Sequence, residues 1–144
     1  MIKSIKLTNF FSFKEVLIEL QKDTTLLVGI NGSGKSNLIK AIKLLKTGVE
    51  GNASDTALVD LIVAKWGGFD NIYCKGDGNN EFENSIGLEF ILDGDVLSKY
   101  GSAYEFRADV VYKIVLIKKP NFDSYFVSDS IKLVNGITFL DFYN

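Results

Sequence analysis

One stretch of eight residues restricts the fold of this chain more than any other feature. It runs from position 29 to position 36, reads Gly-Ile-Asn-Gly-Ser-Gly-Lys-Ser, and matches the pattern G-x-x-x-x-G-K-[ST] at every fixed position. The wholly apolar run 26–28 precedes it and predicts a short buried strand. An amphipathic helix is predicted to follow, over about residues 35–46. A strand, a glycine-rich turn and a helix in this order predict a loop that binds phosphate.

Each residue type in this loop suits that chemistry. Glycines let successive backbone N–H groups face one anion, and the N-terminus of the following helix adds unpaired N–H groups. We expect Lys35 to bridge the β- and γ-phosphates of ATP, and the Ser36 hydroxyl to coordinate Mg²⁺. The residues predicted to bind the nucleotide are Gly29, Asn31, Gly32, Ser33, Gly34, Lys35, Ser36 and Asn37. A glycine-rich turn that matches by chance is disfavoured, because strand and helix signals flank the loop.

The bulk composition narrows the class of protein. A chain of 144 residues, 47% of them hydrophobic, suits a single domain over residues 1–144. We expect that domain to be an N-terminal fragment of a larger protein. The net charge of −2 gives no electrostatic support for nucleic-acid binding, and histidine, the commonest general base, is absent. A single cysteine, Cys74, and the absence of a signal peptide or a long apolar run predict a soluble, cytoplasmic protein without a membrane partner.

The other elements follow from hydrophobic periodicity. Outside the loop and its helix we predict strands at 2–9 and 13–20, a helix at 55–66, and strands at 71–74, 86–92, 104–118, 125–134 and 137–142. Gly67 and Gly68 are predicted to end the second helix, and Asn135-Gly136 to form a hairpin turn. This order predicts an α/β fold with a mixed, largely antiparallel sheet and about two helices.

The helix after the loop is predicted to be amphipathic. Its predicted apolar stripe consists of Leu38, Ile39, Ile42 and Leu45, and its predicted solvent side consists of Lys40, Lys43 and Lys46. Gly48 is a plausible C-terminal stop.

The start of the chain resembles a known family. Residues 5–13, Ile-Lys-Leu-Thr-Asn-Phe-Phe-Ser-Phe, with residues 26–38, resemble the start of RecF-like and SMC-like AAA-family ATPases of the ABC-type P-loop clan, and this resemblance covers about the first 46 residues. It implies the first lobe of an ATPase head that pairs with a second copy around ATP. It also implies a DNA or nuclease partner. Many relatives carry arginine where this chain has Phe11, near the bound phosphates.

Catalytic residues are not identified in this sequence. The only glutamine, Gln21, precedes the loop, whereas relatives carry one after it. The nearest Walker B look-alike ends at Asp141 and is followed by Phe142 instead of Glu, so we interpret it as a hairpin strand. Hydrolysis is therefore expected only with a missing C-terminal lobe and a dimer partner. One alternative is a non-catalytic, nucleotide-regulated interaction module. Another is a small-molecule kinase. Such kinases usually clamp the transferred phosphate with several arginines, so this alternative is disfavoured because Arg107 is the only arginine.

Several other side chains have two interpretations. Phe10, Phe11 and Phe13 are expected in the core, although one of these rings would suit stacking on adenine. Asp55, Asp60 and Asp70 are expected at helix caps or on solvated faces rather than on a metal. Trp66 is expected to be a buried helix end, and residues 75–80 an exposed loop.

Overall fold

The computed structural model describes residues 1–50, 61–74, 85–93, 109–118, 125–133 and 138–143. In chain order these form β1 (Ile2–Phe10), β2 (Phe13–Glu19), helix α1 (Lys35–Glu50), the π-helical segment α2 (Leu61–Lys65), the short helix α3 (Phe69–Ile72), β3 (Ser85–Leu92), β4 (Val110–Lys118), β5 (Tyr125–Leu133) and β6 (Thr138–Tyr143).

The strands form one six-stranded sheet in the order β2-β1-β3-β4-β5-β6. Every pairing between these strands is antiparallel. The predicted α/β fold with a largely antiparallel sheet is therefore confirmed. β5 and β6 pair as the predicted hairpin, and its Asn135-Gly136 turn lies outside the described residues.

Side chains of β1 alternate between the two faces of the sheet as the sequence predicts. Ile5 and Leu7 are fully buried, whereas Lys6 points to the other face and is exposed. The same alternation continues through β3 and β4, whose inward residues extend the core across the sheet. The core residues of these two strands are Ile86, Leu88, Phe90, Val110, Tyr112, Ile114 and Leu116.

Helix α1 covers this apolar face, and the side that it turns to the sheet is the predicted one only in part. Its buried residues are Leu38, Ala41, Leu44 and Leu45, so the prediction is confirmed for Leu38 and Leu45. Ile39 and Ile42 were predicted to be in the core and are exposed. The prediction was wrong for these two residues because the helix carries apolar residues on two sides, and periodicity alone does not show which side meets the sheet.

The helix is also longer than predicted, and it runs through Gly48 to Glu50. A Cβ atom at position 48 would overlap the Tyr112 hydroxyl of β4. The glycine therefore permits close contact between α1 and the sheet and does not end the helix.

The apolar run 26–28 was predicted to be a buried strand, and this prediction was wrong. The structure has no strand over residues 20–30, and Leu26 and Val28 are 82% and 84% exposed. An apolar run becomes a buried strand only when a neighbouring strand satisfies its backbone groups. No described strand pairs with this segment.

The region after α1 agrees only in part with prediction. Residues 61–66 are helical and end at Gly67 and Gly68, both with positive φ, as predicted. The predicted start of this helix, with Asp55 and Asp60, lies outside the described residues. The predicted strand 71–74 is wrong, because Phe69–Ile72 forms α3 and only Tyr73 makes an isolated bridge to Phe10. Burial of Phe69 and Ile72, one helical turn apart, favours the helix.

None of the helices in the described part of the chain has the length and apolar character needed to cross a membrane.

Candidate nucleotide-binding site

The candidate phosphate loop begins with a tight turn and ends as the first turn of α1. The Ser33 N–H donates to the Ile30 carbonyl at 3.2 Å, and Gly32 within this turn has φ of +86°. The Gly34 carbonyl then accepts from the N–H groups of Asn37 and Leu38, at 2.9 and 3.1 Å. The N–H groups that open a helix have no partner within it. Those of Lys35 and Ser36, which precede Asn37 at the start of α1, are therefore the ones that suit an anion.

Lys35 lies against its own loop. Its ammonium donates to the carbonyls of Gly29 and Ile30, at 2.5 and 2.7 Å, and to the Ser33 hydroxyl at 3.1 Å. All three acceptors are neutral. A phosphate oxygen would form a stronger, charge-assisted hydrogen bond to the same ammonium. The geometry therefore suits exchange of these contacts for phosphate contacts.

An added side chain would meet neighbouring atoms at two positions of the loop. A Cβ atom at Gly29 would lie 2.6 Å from the Ser33 hydroxyl oxygen. At Gly34, which has φ of +94°, a Cβ atom would lie 2.6 Å from Cζ of Phe13 and 2.9 Å from Oγ of Ser12. The turn between β1 and β2 therefore packs directly against the loop.

Hydrogen bonds to neighbouring elements hold that turn in place. Asn9 and Phe11 adopt positive φ angles of 52° and 50°, which non-glycine residues rarely do. The buried Asn9 amide donates to the Ser85 carbonyl at 3.0 Å, and the Phe11 N–H donates to the Ile72 carbonyl at 2.5 Å. These contacts to β3 and α3 stabilise an otherwise unfavourable backbone.

The side chains of the turn also reach α1. Asn37 donates through Nδ2 to the Ser12 hydroxyl at 3.0 Å. Lys40 lies with its ammonium 3.8 Å from the centroid of the Phe11 ring, and 3.3 Å from Oδ1 of Asn37. Lys40 was predicted on the solvent side with Lys43; it is half-buried, and Lys43 is exposed. Sequence reasoning missed Ser12 and Lys40, because only the fold brings the turn to the helix.

The aromatic residues near the loop pack as predicted. Phe10 is fully buried, and Phe11 and Phe13 are partly buried against the core. Trp66, predicted to be buried, is half-buried and packs edge-to-face with the Phe11 ring, at 5.8 Å between centroids. With Lys40 over its ring and Trp66 beside it, Phe11 is poorly placed to stack on a nucleotide base.

Asp70 and Asp141, the acidic residues considered above that the structure describes, belong to elements other than the loop. Asp70 forms an ion pair with Lys118 of β4 at 2.7 Å. Asp141 belongs to β6, the edge strand at the opposite end of the sheet from β2. Across the described ranges no three His, Cys, Asp or Glu residues cluster as a metal site. Mg²⁺ bound with a nucleotide needs few protein ligands, since phosphates and water complete its shell. The exposed Ser36 in the first turn of α1 suits that role.

Comparison with known proteins defines the class of protein to which this site belongs. A family model described as an AAA ATPase domain matches residues 1–137 of the 144. The chain belongs to this family, and membership implies nucleotide binding.

Within that family, the chain is similar to RecF and Smc proteins. It is 29% identical to the DNA replication and repair protein RecF of Carboxydothermus hydrogenoformans over 100 residues, which are 69% of this chain and 27% of that protein. It is 49% identical to the chromosome partition protein Smc of Methanocaldococcus jannaschii over 41 residues, 28% of this chain and 4% of that protein. The chain thus spans about a quarter of the RecF relative.

A solved structure supports the fold. It comes from work on the ATP-driven dimerization and DNA-stimulated activation of SMC ATPases, and it superposes with a TM-score of 0.60 at 22% identity. The match covers 96% of this chain and 72% of the other. The fold is therefore that of an SMC-like ATPase head, as the resemblance in the sequence implied.

Proposed function

We propose that this chain binds Mg-ATP through the loop from Gly29 to Ser36, as the N-terminal part of a RecF-like or SMC-like ATPase head. The observation that carries the proposal is the position of Lys35. Its ammonium is surrounded by neutral oxygens of a glycine-rich loop at the N-terminus of α1. The lysine cation, the unpaired N–H groups and the helix dipole together favour the binding of a polyphosphate.

Each residue of the loop has a separate task in this proposal. The backbone from Asn31 to Gly34 offers N–H groups to the phosphates, and the Ser33 N–H would first release its hydrogen bond to the Ile30 carbonyl. Lys35 exchanges its carbonyl contacts for β- and γ-phosphate oxygens. Ser36 and Asn37 face the ligand from the first turn of α1. Bound Mg²⁺ would neutralise charge on the β- and γ-phosphates, with the Ser36 hydroxyl as one of its ligands.

Hydrolysis, in this proposal, requires groups from a following lobe and from a second copy of the head. Exposed apolar side chains support this. They are Leu26 and Val28 before the loop, Ile30 within it, and Ile39, Ile42 and Val49 along α1. Large apolar side chains left exposed in this number are consistent with a surface that another unit covers. The chain also spans only 27% of its RecF relative.

Pairing of two heads around ATP is proposed by similarity. The related solved structure concerns SMC ATPases that dimerize on ATP and are activated by DNA. A DNA partner is proposed for this protein on the same basis, and a nuclease partner on the resemblance of its sequence alone. With a net charge of −2, the chain itself adds no electrostatic support for contact with DNA.

Nucleotide affinity of a Lys35→Ala variant tests the proposal. The lost charged hydrogen bond is worth about 1.5–3 kcal/mol, so the dissociation constant for Mg-ATP should rise about ten- to a hundred-fold. Isothermal calorimetry on the full chain measures this, with Lys43→Ala, an exposed lysine of the same helix, as the matched control. Equal affinities for wild type and Lys35→Ala would reject the loop as the binding site.

The metal ligand is tested in the same assay. Ser36→Ala should weaken ATP binding when Mg²⁺ is present and have little effect when EDTA removes it. An equal loss in both conditions would assign Ser36 to the phosphate rather than to the metal.

A further inference from the structure

Gly87 lies in the middle of β3, on the face of the sheet that points away from the core and α1. Its neighbours in register are Thr8 of β1 and Val115 of β4. Glycine in the interior of a strand lowers stability, because it loses more conformational freedom on folding and has no side chain to pack. A glycine at such a position often marks a bulge, a bend or the close approach of a ligand or another backbone.

The described part of the chain gives no structural reason for this glycine. The φ angle of Gly87 is not positive, and its pairing with both neighbouring strands is regular. Among the described residues, a Cβ atom at this position would approach Thr8 alone, at 3.6 and 3.8 Å, which is ordinary van der Waals contact. An alanine would therefore fit the folded chain. The explanation that remains is a group that approaches the strand from outside.

A pocket lies on the sheet at Gly87. It has a volume of about 140 Å³, and its walls include Lys6, Thr8, Glu89 and Lys113. We call it the sheet pocket. Sites for small molecules usually have volumes of about 300–1,000 Å³. The sheet pocket is smaller than such a site, and its size suits a single side chain of a protein partner.

The charged groups of the sheet pocket are not paired with one another. Glu89 lies in register between Lys6 and Lys113. Lys6 instead forms an ion pair with Glu15 of β2, at 3.2 Å between Nζ and Oε1. Within the described ranges, neither Glu89 nor Lys113 takes part in an ion pair. Opposite charges on adjacent strands attract each other, so a carboxylate left unpaired between two lysines is available to a ligand.

The chemistry of the pocket selects among the side chains that most often anchor protein interfaces, namely tryptophan, tyrosine and arginine. An arginine would be repelled by Lys6 and Lys113. An aromatic ring suits a floor formed by Gly87 and Val115, and nearby lysines attract its face. Tyrosine is smaller than tryptophan, and the hydroxyl at its tip would donate to the half-buried Glu89 carboxylate.

We propose that the sheet pocket binds a tyrosine side chain of a partner protein, with the ring against Gly87 and the hydroxyl on Glu89. The pocket lies on the face of the sheet away from α1, so this contact is separate from the candidate nucleotide site. The outer face of β1, β3 and β4 is then an interaction surface for a protein with an exposed tyrosine.

An NMR titration of the isotope-labelled full chain with N-acetyl-tyrosine amide tests this, with the Gly87 amide resonance as the reporter. A probe of this size should bind with a dissociation constant on the order of 1 mM. N-acetyl-phenylalanine amide should bind about three- to ten-fold more weakly, because it has no hydroxyl for Glu89. Glu89→Ala should remove this difference. Glu19→Ala, at an exposed glutamate of β2 on the same face, is the matched control and should retain it.

Gly87→Ala separates a binding role of the glycine from a structural one. It should keep or raise the midpoint of urea unfolding, because alanine fits the strand. It should also weaken the binding of the tyrosine amide by about ten-fold or more, because the methyl group occupies the floor of the pocket.

Four results would overturn the proposal. A lower midpoint for Gly87→Ala would show that the fold itself requires the glycine. Unchanged affinity in Gly87→Ala would place the tyrosine amide elsewhere. Tighter binding of the corresponding arginine or tryptophan amide would assign the pocket to another side chain. A Gly87 resonance that does not shift with the tyrosine amide would show that the pocket does not bind it.

Discussion

Gly34 should be the least replaceable glycine of the loop, because two independent effects oppose a side chain there. Its φ of +94° lies in a region that L-residues avoid, at a cost of roughly 1–2 kcal/mol for alanine. The added methyl would also lie 2.6 Å from the Phe13 ring and 2.9 Å from the Ser12 hydroxyl. Forcing such contacts apart costs about 1–3 kcal/mol. Gly34→Ala should therefore destabilise the chain by about 2–5 kcal/mol.

Gly32 provides a matched comparison within the same loop. Its φ of +86° is nearly the same, but a Cβ atom there would meet nothing within 4 Å. Gly32→Ala should therefore show the backbone term alone, about 1–2 kcal/mol. The difference between the two variants isolates the contact between the loop and the β1–β2 turn.

Urea unfolding measures both variants, with the fluorescence of the single tryptophan, Trp66, as the probe. Trp66 packs edge-to-face with Phe11, so its fluorescence reports on the turn directly. Gly34→Ala should lower the urea midpoint by clearly more than Gly32→Ala, without a change in slope. Gly34→Ala should cost less in a Phe13→Ala background than in the wild-type chain. Equal midpoints for the two glycine variants would refute the close approach of the turn to the loop.

Two further predictions concern helix packing and catalysis. Gly48→Ala should destabilise the chain by about 1–3 kcal/mol in thermal or urea unfolding, and most of that cost should vanish in a Tyr112→Phe background, which removes the overlapping hydroxyl. A gain in stability from Gly48→Ala alone, as for an ordinary helix glycine, would contradict the contact. In a steady-state phosphate assay at saturating Mg-ATP, the full chain should release phosphate near background, because it offers no identified residue to orient the attacking water. Turnover near about 1 s⁻¹ that disappears in Lys35→Ala would show that a catalytic carboxylate was missed.

Where the structure agrees with the sequence, a local pattern determined the outcome. Alternation in β1 placed Ile5 and Leu7 in the core, and the glycines after the second helix ended it. These signals act over a few residues, so one segment is enough to interpret them. The loop is predictable for the same reason, since its pattern is contiguous from Gly29 to Ser36.

The failures occurred where burial depends on a distant partner. An apolar run at 26–28 predicts a strand, but no described strand pairs with it. The two apolar sides of α1 are equivalent in sequence, and only contact with Tyr112 and its neighbours selects the buried one. The exposed side of α1 with Ile39 and the run 26–28 are apolar, but no described part of the chain buries them. Both observations agree with a surface that a further lobe covers.

The candidate site also combines residues that the local sequence identifies with contacts that only the fold creates. Lys35 and Ser36 can be assigned from the motif alone, because the loop and the helix start are continuous in the chain. The contact between Lys40 and the Phe11 ring cannot be predicted in this way, because the two residues are 29 positions apart and the β1–β2 turn brings them together. That turn is fixed by hydrogen bonds to α3 and β3. Because the turn also packs against Gly34, a nucleotide bound in the loop should stabilise the junction between the loop and the sheet.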